Sequence, residues 1–378
     1  MKKLKIIIIV LLLLIVCLLA KNAQYHSQII EKDSQIEKLK QQNLIIEDED
    51  FAKKYLEIFG YFNLIKGYRS PYIFTDASGL HYRSGITFNQ ILSLYMFDKN
   101  LRNAVIASML DLEEHIKASA ADVVAQSFGT HQDDYLNIRN YRDKRRRNRK
   151  FSLRNTLITI QKALNSDKTP VSHYREVHGI IPPWILFKNL YFSTIINFIN
   201  FFKPHEKEQM VYHLYDVDST DLSVDNLKLI MMDTLFVCLD YRNLAAHGGR
   251  IYNYRSDCNV RLENFSTDVS EDTLPKGFNQ LIYILSCLKY RKPLDDLSKA
   301  LNYEVNRHCS AFPEDATYLG QILNIDIKSE NVVWITGTSD KFHYTPYCSG
   351  IKHPLQISEQ KAIANGYIPC KRCCKETD

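Results

Sequence analysis

Between Leu227 and Leu239 apolar side chains return every three or four residues: Leu227, Ile230, Met231, Leu235, Cys238 and Leu239, with Thr234 in step. That spacing marks one buried face of a helix. Arg242 lies four residues beyond Cys238 and prolongs the buried stripe with a guanidinium. A cation in such a place is costly unless a carboxylate or a phosphate meets it. Gly248-Gly249 then offers a C-terminal stop, which puts His247 in the last turn or just past it. There the carbonyl end of the helix favours a protonated imidazole. Arg242 and His247 are five residues apart, about 140° around an ideal helix, so they do not share one face of it.

The rest of the chain agrees with a mainly helical protein. Its 378 residues hold only 13 glycines and 11 prolines, and long stretches carry helical periodicity. With 45% apolar residues it can bury a real core, which excludes a disordered chain. A cation able to hold a phosphate, beside an imidazole that titrates near neutrality, is what metal-free RNA cleavage needs. Arg242, Asn243 and His247 are therefore the candidate catalytic group. The plainer alternative is that Arg242 meets a carboxylate and His247 only ends a helix.

RNLAAHGGRIYN, from Arg242 to Asn253, resembles the signature of the Abi-like, abortive-infection proteins of the HEPN superfamily of helical ribonucleases and toxins. Three upstream segments are similar in order and spacing: FAKKYLEIFGYFNLIKGYRSPY (Phe51 to Tyr72), the stretch from Thr87 to Ala121 with FD-x-x-LR at Phe97 to Arg102, and IPPWILFKNLYFSTIINFINFF (Ile181 to Phe202). The resemblance covers Phe51 to Tyr290. Gly248 stands where many relatives carry a second histidine, and Ser193 where a glycine is usual.

The resemblance implies an HEPN-type helical bundle that forms a homodimer, with Arg242 and His247 of both chains lining one cleft. It implies attack of the ribose 2′-hydroxyl on its own phosphate, with no cofactor for catalysis. His247 would be the acid and base, Arg242 the stabiliser of phosphoryl charge, and Asn243 a positioning neighbour. Arg250 and Asn253 would help to bind the RNA, and Glu114 is the carboxylate expected to pair with Arg242, any other acidic residue of the bundle being the alternative. An antitoxin or a phage-derived trigger would be further partners. Asp98 and Arg102, four apart in FDKNLR, are read as a helix ion pair with a structural role.

Nine cations crowd into residues 139–154 against a single Asp143. Arg145, Arg146, Arg147 and Arg149 form the densest part, read as an RNA-phosphate strip and otherwise as solvated surface. At the amino end, Ile6 to Ala20 is an unbroken apolar run between Lys2, Lys3 and Lys5 on one side and Lys21 on the other. We read residues 1–21 as an uncleaved transmembrane anchor, a secretory signal peptide being the alternative. The expected protein is thus a single-pass membrane protein with a cytoplasmic body, although the amino-terminal lysines favour the opposite orientation. Residues 22–48 form a helical stalk, either a short coiled coil or a solvated single helix.

After a helical domain (49–290) and a helical linker (291–330), the pattern changes near Asn331 to strand-like alternation. His343, Cys348, Cys370 and Cys373 give H-x4-C and C-x2-C, spacings that suit tetrahedral zinc in a structural role. ANGYIPCKRC resembles the zinc-binding domain of Ada-type DNA-repair proteins, and Cys374 is a substitute ligand. The expected fold is therefore a mainly α, HEPN-type bundle with an N-terminal membrane helix and a small C-terminal zinc-binding β/α module at 331–378. Two functions compete: a ribonuclease of abortive-infection type, and a non-catalytic protein that holds nucleic acid or a partner.

Overall fold

Helix boundaries follow the capping chemistry of the chain. A computed structural model describes residues 32–143, 152–220, 222–265, 270, 272, 274–327, 332–336, 339–344, 348, 351 and 354–374. The described chain divides into two compact units, one ending at Phe97 and the other beginning at Asp98.

In the first unit, helix α1 (32–41) buries Ile36 and Leu39 completely. Helix α2 (Glu49–Phe59) starts where the Asp48 carboxylate accepts the Phe51 N–H at 2.9 Å and ends at Gly60, φ +80°. A π-helical turn and a 3-10 turn lead to an antiparallel hairpin of β1 (Ile73–Asp76) and β2 (Gly79–Tyr82), in register from Ile73↔Tyr82 to Asp76↔Gly79. Leu39, Ala52, Leu56, Leu64, Ile65 and Leu94 make the fully buried centre of this unit.

Helix α3 (Phe88–Phe128) runs for 41 residues, about 62 Å at 1.5 Å per residue. Phe97 closes the first unit within it, and the second unit opens at Asp98. Short turns α4 (Gln132–Tyr135), α6 (Val171–His173) and α7 (Pro183–Leu186) alternate with α5 (Leu153–Leu164) and α8 (Phe192–Asn200). Next come α9 (Pro204–Leu214), α10 (Val224–Ala246), α11 (Phe278–Ser286), α12 (Lys292–Ala311) and α13 (Asp315–Leu323). Ser223 caps α10 by accepting the Asn226 N–H at 3.2 Å. The stripe read from the sequence faces inward: Leu227, Ile230, Met231, Leu235 and Cys238 are buried, and α10 packs on α8, α9 and α11. The chain then doubles back along α10, Tyr254 and Ser256 donating to Asp240 at 2.6 Å each, and Arg261 forking onto Asp233 at 2.6 and 2.8 Å.

The carboxyl end has its own small core of Val333, Ile335, Phe342 and Ala362. There β3 (Val332–Ile335) pairs antiparallel with β5 (Leu355–Ser358), β4 (Lys341–Phe342) pairs in parallel with β6 (Ile368–Pro369), and α14 (Glu359–Ala364) packs on β3 and β5. The Asn302 side chain on α12 donates to the Tyr344 carbonyl and ties this module to the helices.

The chain is mainly helical, as expected. The membrane reading is corrected. Among the described residues no helix is long and apolar enough to cross a membrane, which overturns the single-pass membrane localisation and leaves the expected membrane helix without support. The long helices α3 and α10 interleave charged side chains with apolar ones, as helices of a packed body do. The fifteen apolar residues behind the expected anchor lie outside the described residues. At 1.5 Å per residue such a run reaches about 22 Å, short of the about 30 Å of hydrocarbon in a bilayer. Residues 22–31 of the expected stalk also lie outside the described residues.

Candidate functional site

The C-terminal turn of α10 carries three predicted residues. Arg242 is partly buried, its side chain 30% exposed, and its Nε stands 3.7 Å from Glu113 Oε2 of α3. The expected partner was Glu114. That residue is exposed, because one step along a helix turns a side chain by about 100°. Glu113 is buried and shares its other oxygen with Lys117 at 2.7 Å. At 3.7 Å the Arg242–Glu113 pair is held by charge and not by a hydrogen bond. Arg242 Nε and Glu113 Oε2 both lack a hydrogen-bond partner among the described residues. The guanidinium's other contact with a described residue is a long one, 3.5 Å to Asn243 Oδ1. Most of its five donors are therefore unspent.

His247 is the C-cap of α10, as its glycines imply, and its backbone N–H donates to the Asn243 carbonyl at 3.1 Å. Its side chain is exposed. Among the described residues no hydrogen bond or ion pair joins the Arg242 and His247 side chains. Gly248, the position of the second histidine in the resemblance, has φ +73°, the left-handed conformation that ends a helix and that glycine adopts without cost.

The turn after His247 is gripped by α3. The Asp98 carboxylate, fully buried, accepts the N–H groups of Ile251 and Tyr252 at 2.8 Å each through Oδ1. Arg102 donates to the carbonyls of Gly248 at 2.9 Å and Gly249 at 3.3 Å. Gly249 is tight: a Cβ there would stand 2.2 Å from Leu244 Cδ1. Contacts that advance from Arg242 to Ile251 retreat along α3 from Glu113 to Asp98, so this segment runs antiparallel to α3. Arg250 is exposed and Asn253 half-buried, on either side of the gripped peptides. Burial raises the Tyr252 hydroxyl far above its ordinary range, with Tyr318 adding to the effect.

Arg145, Arg146, Arg147 and Arg149 lie outside the described residues. The described neighbour Arg142 lines an open cleft of about 820 Å³ with Asp143, Lys207, Asp225, Lys228 and the apolar Phe202, Pro204 and Leu229. The lysines of α9 and α10 were not read as part of any site.

In the carboxyl module His343, Cys348, Cys370 and Cys373 are all buried, and their ligand atoms lie within 4.8 Å of one another. A tetrahedral zinc with bonds of about 2.3 Å to sulfur and 2.0–2.1 Å to nitrogen sets S···S near 3.8 Å and S···N near 3.6 Å. The Cys348–Cys370 sulfurs are 3.9 Å apart, and Cys373 Sγ is 3.5 Å from His343 Nδ1. The cluster therefore has the donor types and spacing to hold a metal. Cys374 stands outside the four, its thiol donating to the Phe342 carbonyl at 3.5 Å. Hydrogen bonding by the Cys374 thiol is the first cause that draws Cys373 down to about 4, while burial pushes Cys348 up to about 12.

A helical body that ends one helix in Arg-Asn-x3-His and clamps the following turn defines the class. Its family is that of the Abi-like proteins, whose family description matches residues 54–253, more than half of the chain. This chain belongs to that family. The match ends at Asn253, so it takes in Asp98, Arg102, Arg242 and His247 and leaves the Cys/His cluster outside. Comparison with curated proteins and with solved structures finds no significant match.

Proposed function

We propose that this Abi-like protein is a metal-independent endoribonuclease of the HEPN type, acting in abortive infection as a homodimer. One observation carries the reading: Arg242 is anchored by the charge of Glu113 while its Nε and most of its donors stay unspent, one turn before an exposed His247. A guanidinium so held is ready to bind two oxygens of a phosphate. In the proposed step the ribose 2′-oxygen forms a bond to phosphorus as the P–O5′ bond breaks. An imidazole takes the 2′-hydroxyl proton and an imidazolium gives one to the 5′-oxygen, leaving a cyclic phosphate and a 5′-hydroxyl. Arg242 stabilises the charge that grows on the phosphoryl oxygens. One neutral imidazole cannot act as base and acid at once, and Gly248 supplies no second one. Two His247 rings, one from each chain, meet that need, which supports the homodimer. Asn243, Arg250 and Asn253 are assigned to holding the RNA, and the Cys/His module to one structural zinc.

The experiment is incubation of the purified chain with total RNA in chelator, beside His247→Ala and Arg242→Ala. Each variant is expected to lose about 10²–10⁴-fold in cleavage rate while circular dichroism and oligomeric state stay those of the parent. Cleavage that survives both changes removes the assignment.

A further inference from the structure

We infer that Arg69, with the hydroxyls of Tyr61 and Tyr82, forms an anion site of its own, one that takes a phosphate group. The backbone fixes all three residues in the first unit. Tyr61 precedes the π-helical turn Phe62–Lys66, and Arg69 precedes the 3-10 turn Ser70–Tyr72. The Arg69 N–H donates to the Ile65 carbonyl at 3.0 Å, and its carbonyl accepts the Tyr72 N–H at 2.9 Å. Tyr82 ends β2, where its N–H donates to the Gln42 carbonyl at 2.7 Å. The next residue, Arg83, donates its N–H to the Tyr72 carbonyl at 2.9 Å. Tyr72 therefore ties the backbone of Arg69 to the end of β2.

The side chains that meet there are donors without an acceptor. Tyr82 is 1% exposed and Tyr61 partly buried, and neither buried hydroxyl has a hydrogen-bond partner among the described residues. Burial raises the proton affinity of both phenols, so both keep their protons at neutral pH. Arg69 lies close enough to act against that rise in each, and no carboxylate acts on either. Arg69 itself is partly exposed and makes no ion pair with a described residue. A guanidinium has five N–H donors and no acceptor, and each phenol has one proton to give. Buried hydroxyls left unpaired are costly, and so is a half-buried cation without an anion. A ligand made only of acceptors relieves all three groups. A carboxylate spends its two oxygens on the arginine fork, whereas a phosphate keeps further oxygens for the hydroxyls. Arg69 is the member that solvent reaches, so the phosphate enters beside it.

The test is titration calorimetry of the full chain with inorganic phosphate at constant ionic strength, adenosine monophosphate being a parallel ligand. Arg69→Gln, Tyr61→Phe and Tyr82→Phe are each expected to weaken phosphate binding about tenfold or more, the worth of a hydrogen bond to a charged group. Lys54→Gln, at an exposed lysine of α2, is the charge-matched control and is expected to bind as the parent does. The urea midpoint supplies a second readout. Without phosphate, Tyr82→Phe is expected to match or exceed the parent, because it removes a buried hydroxyl that has no partner. With phosphate, the parent gains stability by mass action and Arg69→Gln gains less. No binding at about 10 mM phosphate, or binding kept by both Arg69→Gln and Tyr82→Phe, overturns the inference. So does a loss of stability in Tyr82→Phe without phosphate, which means that the fold already uses the hydroxyl. Tighter binding of the nucleotide names it as the source of the phosphate group, and equal affinity leaves free phosphate as the ligand. None of these readouts involves RNA cleavage, so the site stands or falls separately from the ribonuclease.

Discussion

Asp98 and Arg102 stand one helical turn apart on α3, 3.8 Å between carboxylate and guanidinium, and hold successive peptides of one turn by opposite charges. Asp98 takes the N–H groups of Ile251 and Tyr252, and Arg102 the carbonyls of Gly248 and Gly249. The pair read from FDKNLR as a helix ion pair is therefore also the brace of the segment that follows His247. Its work is positioning.

That brace gives the first prediction. Asp98→Ala strands two buried N–H groups, each costing about 1–3 kcal/mol. The loss of stability is expected at about 2–5 kcal/mol, read as a lower urea midpoint at unchanged slope. Asp98→Asn keeps an accepting oxygen and is expected to recover more than half of it. Equal loss in both variants means that the carboxylate does not act through these two bonds.

Glu113 makes the second. Glu113→Gln keeps the shape of the side chain but removes the charge that faces Arg242, and RNA cleavage is expected to fall while Glu114→Gln stays at the parental rate. Glu113→Ala also leaves a half-buried cation unmatched. Breaking a buried pair costs about 3–5 kcal/mol, and the 30% exposure of the Arg242 side chain reduces this to about 1–2. A Glu114 variant that loses as much activity would return the pairing to that residue.

These two residues also show what was legible in the sequence. The stripe from Leu227 to Cys238 could be read because a 3.6-residue period survives any packing that buries one face. Helix α3 carries the same kind of signal: Leu94, Phe97, Leu101, Val105, Met109 and Leu112, all fully buried, recur at steps of three and four and share one face, so at about 100° per residue Glu113 borders that face and Glu114 points away from it. The Cys370-x2-Cys373 spacing is a local signal and could be read. The convergence of Arg142, Lys207 and Lys228 is made by three distant elements and could not.

The third prediction concerns pH. Burial, and next the neighbouring His213, lower the affinity of His115 for a proton below its ordinary 6.5. The unfolded chain therefore binds this proton more readily than the folded one, and stability falls as pH drops below about 6.5 towards the lowered folded value. Above that range the residue costs nothing. His115→Gln is expected to flatten the dependence of the urea midpoint on pH between neutrality and mild acid. An unchanged slope would assign the acid sensitivity to other groups.

The last prediction is that the carboxyl module binds one zinc through His343, Cys348, Cys370 and Cys373, in a structural role. Three thiolates and an imidazole fill the tetrahedron, so no position is left for a reacting water. Among the described residues the module's own buried apolar cluster is four residues, Val333, Ile335, Phe342 and Ala362. A unit with so small a core needs a metal or disulfides to hold it, and these cysteines are free thiols. Cys370→Ser is expected to lower zinc content and open the module to protease, while the helices keep their circular dichroism. Cys374→Ser is expected to retain the metal, because Cys374 lies outside the four-residue cluster although its sulfur is 3.9 Å from Cys373 Sγ. Metal analysis of the parent purified under reducing conditions decides the matter. Absence of zinc there would sink the site, and greater zinc loss in Cys374→Ser than in Cys373→Ser would move the fourth ligand.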